Sequence, residues 1–304
     1  MKFKLLILIG ISSILSASEI KGYSIFNYDN NAFSIDRAYF QYTDDISDEL
    51  FFKLRYDVGR DSDANGDTKL STYLKNAYVD WKVDNIGKLS FGLLSTISYS
   101  IQENTWGYRF ISKSSLDEAG FITTADFGVG FSKKYGEFDL NVQLLNGEGY
   151  KRQDSDEKIK TYIRLMKGES NLSKNDGINY GIILTSYEGV DGDDDNESLF
   201  GVFTGWSKDK LRLGLEYYTF ESWHTNTSML ETELLTSINA NYTINENFDI
   251  FMRHYMKAID VWTNSTAETL IGAVWNPTKG LYIAPNVAVN DDLEDYRLSF
   301  MFKY

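Results

Sequence analysis

Tyr296-Arg297-Leu298-Ser299-Phe300-Met301-Phe302-Lys303-Tyr304 stands at the end of the sequence, and its alternation governs the reading of everything before it. Tyr296, Leu298, Phe300, Phe302 and Tyr304 share one face, while Arg297, Ser299, Met301 and Lys303 share the other. Successive side chains of a strand point to opposite sides. One face of this segment is therefore oily and the other wet, as a strand between lipid and water requires.

The same period recurs upstream. Leu50, Phe52, Leu54, Tyr56 and Val58 oppose Lys53, Arg55 and Asp57; Ala77, Val79, Trp81 and Val83 oppose Asn76, Tyr78, Asp80 and Lys82. Phe127, Val129 and Phe131 oppose Asp126 and two glycines, and Leu140, Val142 and Leu144 oppose Asp139, Asn141 and Gln143. Ile159, Ile163 and Leu165 oppose Lys158, Lys160 and Arg164; Leu211, Leu213, Leu215 and Tyr217 oppose Arg212, Gly214 and Glu216. Leu234, Ile238, Ala240 and Tyr242 oppose Glu233, Ser237 and Asn239. Around 198–207 and 268–276 the alternation is less clean and leaves the facing open.

Connections alternate in length. Segments 84–87, 134–136, 208–210, 244–247 and 277–280 read as tight turns, and 59–69, 146–156, 188–197 and 221–230 as longer polar loops. Short turns on one rim and long loops on the other is the plan of a bacterial barrel. Counting the runs predicts an all-β, transmembrane antiparallel β-barrel of about sixteen strands, with short periplasmic turns and longer extracellular loops. Two connections leave fourteen or eighteen as alternatives: Asp29–Asn31 is short for an outer loop, and 167–177 is long for a turn. Trp81, Trp206 and Trp275 each precede a short turn, which places them in an aromatic girdle at one membrane boundary.

Composition agrees. The chain has no cysteine, two prolines, 21 tyrosines and 19 phenylalanines, which suits a large hydrogen-bonded sheet without disulfides or thiolate metal sites. Met1-Lys2-Phe3-Lys4, the apolar run Leu5–Ile11 and the small residues Ser16-Ala17-Ser18 have the three-part form of a secretory leader cut near Ala17 or Ser18. The expected mature domain, 18–304, then carries 44 acids against 28 bases, which argues against nucleic acid as a partner. The terminal aromatic and the four apolar residues in phase with it match the signal read by the outer-membrane assembly machinery, and lipid is the partner of the oily face.

About sixteen strands leave an aqueous channel. The charged faces demand water inside as well. The expected pore-lining residues are Arg37, Lys53, Arg55, Asp80, Lys82, Asp126, Lys158, Lys160, Arg164, Arg212, Glu216, Arg253 and Arg297. The longest connection, about 97–122, is expected to fold inward as a constriction, with Glu103, Asp117 and Glu118 facing Arg109 and Lys113 and with Trp106 among its bulky aromatics. These features predict passive diffusion of small hydrophilic solutes or ions without cofactor or metal. Acidic outer loops favour cations at the mouth and the basic wall favours anions deeper in, two opposed effects.

Phe33–Phe40, Leu74–Trp81, Glu103–Lys113, Ala125–Val129 and Leu145–Tyr150 together resemble the phosphate-selective porin O and P family, strongly over the first half of the chain. The resemblance implies a sixteen-stranded homotrimeric outer-membrane channel. It does not extend to phosphate selectivity. Channels of that family use an arginine ladder with a lysine cluster, and here nine arginines are spread thinly.

Other functions find less support. The run Asp191–Glu197 is rich in carboxylates but lacks the ligand spacing of a helix–loop–helix calcium site, so a solvated acidic loop is expected. His224 and His254 are the only histidines, and no nucleophile elbow, HExxH or phosphate-cradling loop accompanies them, so no enzymatic activity is expected. A secreted β-sheet glycan binder is the alternative, but its strands would enclose a dry core, whereas most strands here carry one charged face.

Overall fold

The computed structural model describes residues 18–29, 31–62, 68–152, 158–188, 196–224, 229–259, 264–290 and 293–304. The expected leader (1–17), positions 191–195 of the acidic run and parts of other expected outer loops lie outside these residues. Sixteen strands follow one another: β1 (Ser18–Asp29), β2 (Ala32–Asp45), β3 (Leu50–Ser62), β4 (Thr68–Val83), β5 (Gly87–Ser95), β6 (Ala125–Tyr135), β7 (Phe138–Leu145) and β8 (Lys160–Gly168). Then come β9 (Gly177–Tyr187), β10 (Asn196–Lys208), β11 (Leu211–His224), β12 (Met229–Asn245), β13 (Phe248–Ile259), β14 (Asn264–Thr278), β15 (Leu281–Asn290) and β16 (Leu293–Lys303). Between β5 and β6 lie two short helices, α1 (Ser100–Trp106) and α2 (Ser115–Glu118).

Each strand pairs antiparallel with its sequence neighbours, and β1 pairs with β16, so the sheet closes into a transmembrane barrel. Closure leaves no edge, and every backbone polar group of the wall can be paired within the protein. Among the described residues no helix is long and apolar enough to cross a membrane. The strands do so instead.

The two ambiguous connections resolve in favour of sixteen. β1 and β2 are joined by a two-residue link, with Asn31 at φ 61°, while 169–176 form a longer turn on the opposite rim. Several tight turns place Asn85, Gly136, Asp209 or Gly280 in the left-handed region, where Asn, Asp and Gly incur the least steric cost. Phe91, Phe127, Leu144, Leu215, Ile238 and Ile271 stand exposed on the outer, lipid-facing surface. Trp81, Trp206 and Trp275 are also exposed and lie beside the short-turn rim, as a girdle requires.

The seam of the barrel is specific. Gly22 donates to the Tyr304 carbonyl at 3.0 Å and accepts from the Tyr304 N–H at 3.0 Å. A Cβ at position 22 would lie 2.4 Å from the Tyr304 ring and 2.5 Å from the Tyr39 carbonyl. Glycine therefore provides the slot in which the terminal aromatic crosses the first strand.

The facing left open at 198–207 and 268–276 has a physical cause. In β10, Leu199, Gly201, Phe203 and Gly205 are buried, while Phe200, Val202, Thr204 and Trp206 are exposed. In β14, Leu270 and Val274 are buried, while Ile271 and Trp275 are exposed. Both strands alternate, but their inner faces are apolar because protein rather than water covers them.

Candidate functional site

That protein is the connection between β5 and β6. Its neck is closed by the Thr96 N–H on the Thr124 carbonyl (3.2 Å) and the Thr96 hydroxyl on the Thr123 carbonyl (2.7 Å), giving a compact loop that crosses the barrel interior. α1 ends at Gly107, left-handed at φ 81°, whose N–H reaches the Glu103 carbonyl at 2.8 Å. α1 lies on β10 and β11, where Gly205 and Gly214 are paired. A Cβ at either glycine would come within 2.8 or 3.0 Å of the Thr105 methyl, so the two glycines form a shelf for the helix.

Apolar packing fixes both flanks of the loop. Tyr99, Ile101, Leu116, Phe121 and Ile122 pack against Met166, Ile183, Leu199, Phe203, Tyr218 and Leu235 of β8–β12. Trp106, Tyr108 and Phe110 pack against Ile25 of β1 and Phe251, Leu270, Val274, Ala284 and Ala288 of β13–β15. Trp106 meets Tyr108 and Phe251 edge to face, with centroids 5.4 and 5.6 Å apart.

Polar anchors complete the docking. Arg164 donates to the Ile97 carbonyl (2.9 Å) and the Ser100 hydroxyl (3.1 Å). Arg212 donates to the Trp106 carbonyl at 3.1 Å, at the negative end of α1. Arg253 holds Ser112 (3.2 Å) and the Lys113 carbonyl. Glu216 accepts from Ser115 and from the Tyr218 hydroxyl (3.0 Å), to which Gln102 also donates at 2.9 Å. Four of the expected pore-lining residues, Arg164, Arg212, Glu216 and Arg253, are thus bound to the loop.

The opposite wall, β1–β4, has another character. Arg37 pairs with the fully buried Asp57 at 2.9 Å, Lys75 lies 3.8 Å from the same carboxylate, and the Tyr150 hydroxyl donates to it at 3.0 Å. Arg55 donates to Gln41 at 2.9 Å and stands 5.5 Å from the Tyr39 ring centroid. Lys53 lies 5.7 Å over Tyr78, and Lys75 over Tyr39 and Tyr150 at 5.4 and 5.1 Å. Arg109 leaves the loop toward this wall and pairs with Glu103 at 2.8 Å. Burial pushes the Glu103 carboxyl above its ordinary range, with Arg109 opposing. Burial and the Asp57 carboxylate likewise raise the Tyr150 hydroxyl.

The other expected residues are placed as follows. Asp117 lines a cavity of about 320 Å³ with Arg37, Lys75 and Arg109. Glu118 is engaged within the loop, accepting from the Lys113 N–H at 2.9 Å and from Ser112. Asp80 binds Lys88 (2.6 Å) and Ser90 (2.5 Å), whereas Lys82 reaches the Asp48 carbonyl at the short-turn rim. Asp126 accepts from the N–H groups of Phe127 (2.8 Å) and Gly147 (2.6 Å). Lys160 pairs with Glu197 at 2.6 Å, Lys158 lies just before β8, and Arg297 pairs with Asp295 at 2.6 Å.

Lys75 escapes simple alternation, because its odd number puts it in phase with Ala77, Val79 and Trp81 on the outer face. A bulge opposite Arg55 and Tyr56 resets the phase, and Lys75 and Asn76 are both buried on the inner side. The signal available in sequence was one charge among apolar residues of the lipid-facing phase. Lys151 and Arg152, in the β7–β8 connection, join the same cationic group and were not signalled by strand periodicity.

Residues 15–162 match the sequence profile of the phosphate-selective porin O and P family. No curated protein shows significant sequence similarity to the chain. Solved structures share the architecture at low identity. OmpF of Salmonella typhi, in complex with daunomycin, superposes with a TM-score of 0.71 at 12% identity, covering 94% of this chain and 97% of that one. OmpT of Vibrio cholerae, expressed in the outer membrane, gives 0.65 at 12% identity with the same coverage. An anion-selective porin from Comamonas acidovorans gives 0.62 at 10% identity, covering 95% and 99%. The chain has the fold of the general bacterial outer-membrane porins, a closed sixteen-strand antiparallel barrel.

Proposed function

We propose that this protein is a water-filled diffusion channel of the Gram-negative outer membrane, passing small hydrophilic solutes or ions and narrowed by the loop at 97–122. It works without catalysis or cofactor, reaches the membrane through the barrel assembly machinery and functions as a homotrimer. One observation carries the reading: two apolar clusters and the anchors Arg164, Arg212 and Arg253 fasten the loop to the β8–β15 side, whereas the wall facing it gathers Lys53, Arg55, Arg37 and Lys75, a density of charge that calls for water alongside. The solute path runs between that wall and the loop. The profile match over 15–162 supports kinship with the O and P group, without making phosphate the cargo.

The experiment is conductance in planar bilayers. Purified protein gives large, stepwise, ohmic increments. A silent bilayer with insertion confirmed by heat-modifiable electrophoresis refutes the channel.

A further inference from the structure

The side of the loop facing the long-loop rim is roofed by the start of the β7–β8 connection, and this roof is closely built. Tyr150 donates its N–H to the Ala125 carbonyl at 3.0 Å. Gly147, held by Asp126, sits where a Cβ would meet the Tyr187 ring at 3.0 Å. At Gly149, φ +83°, a Cβ would meet the Thr123 methyl at 2.8 Å. Beneath the roof lie two adjoining cavities of about 320 and 340 Å³ that share Ile122, Thr123, Glu148 and Arg152.

Their linings differ in chemistry. The first is lined by Arg37, Lys75, Arg109, Lys151 and Arg152 with Asp117 and Glu148; Asp57 behind Arg37 and Lys75, and Glu103 beside Arg109, leave five cations against four carboxylates, still a cationic pocket. The second has balanced charge, with Glu148 and Glu197 against Arg152 and Lys160, and an apolar side of Ile122, Tyr187 and Phe220. Lys160, 5% exposed, is the buried polar group of this half.

We propose that the two cavities form one subsite for a zwitterionic solute of the dipeptide class. Its carboxylate lies among the cations of the first cavity, its ammonium at Glu148 on the shared boundary, and an apolar side chain against Ile122 and Phe220 in the second. Charge-assisted hydrogen bonds to the carboxylate and to the ammonium, with an apolar contact beyond the ammonium, are what a small-molecule site of this size uses for orientation. A simple inorganic anion has no use for the acids and apolar wall of the second cavity. A sugar needs an open ring face, but Phe121 and Phe220 are stacked on each other, 4.7 Å apart and 11° from parallel, and Lys160 lies 5.7 Å over Tyr187. The assignment rests on the channel reading, because it describes a station on the solute path.

The test is titration calorimetry on the full-length barrel in detergent, with leucyl-alanine, its N-acetyl derivative (no ammonium) and its amide (no carboxylate). Saturable binding of the dipeptide is expected, at least fivefold weaker for either derivative. Glu148→Gln should bring the dipeptide down to the level of the N-acetyl form and leave the N-acetyl form unchanged. Phe220→Ala should erase the preference for leucyl-alanine over glycyl-alanine. Electrophoretic mobility before and after heating confirms that each variant is folded. Equal binding of the N-acetyl form overturns the zwitterion assignment in favour of a plain anion site, and no binding overturns the subsite. Bilayer conductance on the same samples separates the two readings. Conduction without binding removes only the subsite, and binding without conduction removes only the channel.

Discussion

Replacing Trp106 by alanine should free one flank of the loop while leaving the barrel intact. Trp106 is 1% exposed, packs edge-on against Tyr108 and Phe251, donates Nε1–H to the Ser112 carbonyl at 3.1 Å and lies 5.5 Å from the Arg253 guanidinium. Truncating a buried tryptophan costs about 3–5 kcal/mol. About 4 kcal/mol is nearly three powers of ten in an equilibrium constant. None of these contacts belongs to the backbone ladder of the wall, so the loss falls on loop docking. The other apolar cluster still holds Ile101 and Leu116 to β8–β12, so only the stretch around Tyr108–Lys113 should become mobile. Single-channel recording is the assay. The variant should conduct more on average and with marked flicker, while its heat-modifiable mobility matches the parent. A folded variant with the parent's quiet conductance would show that this cluster does not hold the constriction. A variant that cannot form the barrel would show that loop and wall are not separable.

Further expectations are open to direct measurement. Deleting part of 100–118 should raise conductance and admit larger sugars in liposome swelling; unchanged cut-off and conductance would refute the constriction. Gly22→Val should slow assembly and lower the unfolding temperature of the barrel, because its Cβ would fall within 2.5 Å of the Tyr304 ring and the Tyr39 carbonyl; normal assembly kinetics would show that the seam tolerates a side chain. Replacing Tyr304, or truncating β16, should reduce insertion in cells, and unimpaired insertion would argue against a terminal signal. Glu103, raised above the ordinary carboxylate pKa of about 4.3, binds a proton more readily in the docked loop than in a released one. Its contribution to docking is therefore complete below that ordinary value and is lost as pH rises through the raised one. Current flicker should fall on acidification in the parent but not in Glu103→Gln; an identical pH response in both would exclude this group.

The alternation of 296–304, repeated at 50–58 and 211–217, was enough to establish a closed barrel with one oily and one wet surface, because a period of two is a local property of the chain. A strand number near sixteen and the length of the 97–122 connection were legible from the spacing of runs and turns, with fourteen or eighteen strands left open. The roles of the wet residues were not. Arg37 and Arg212 look alike in sequence, yet Arg37 faces Asp57 across one hairpin while Arg212 binds a carbonyl 106 positions away. The apolar inner faces of β10 and β14 blurred the pattern because they cover the loop, and a single bulge turned Lys75 inward. Whether a charge meets water or another segment depends on contacts far apart in sequence. Periodicity carries no record of them, so only the folded barrel separates the wall that anchors the loop from the charged wall opposite it.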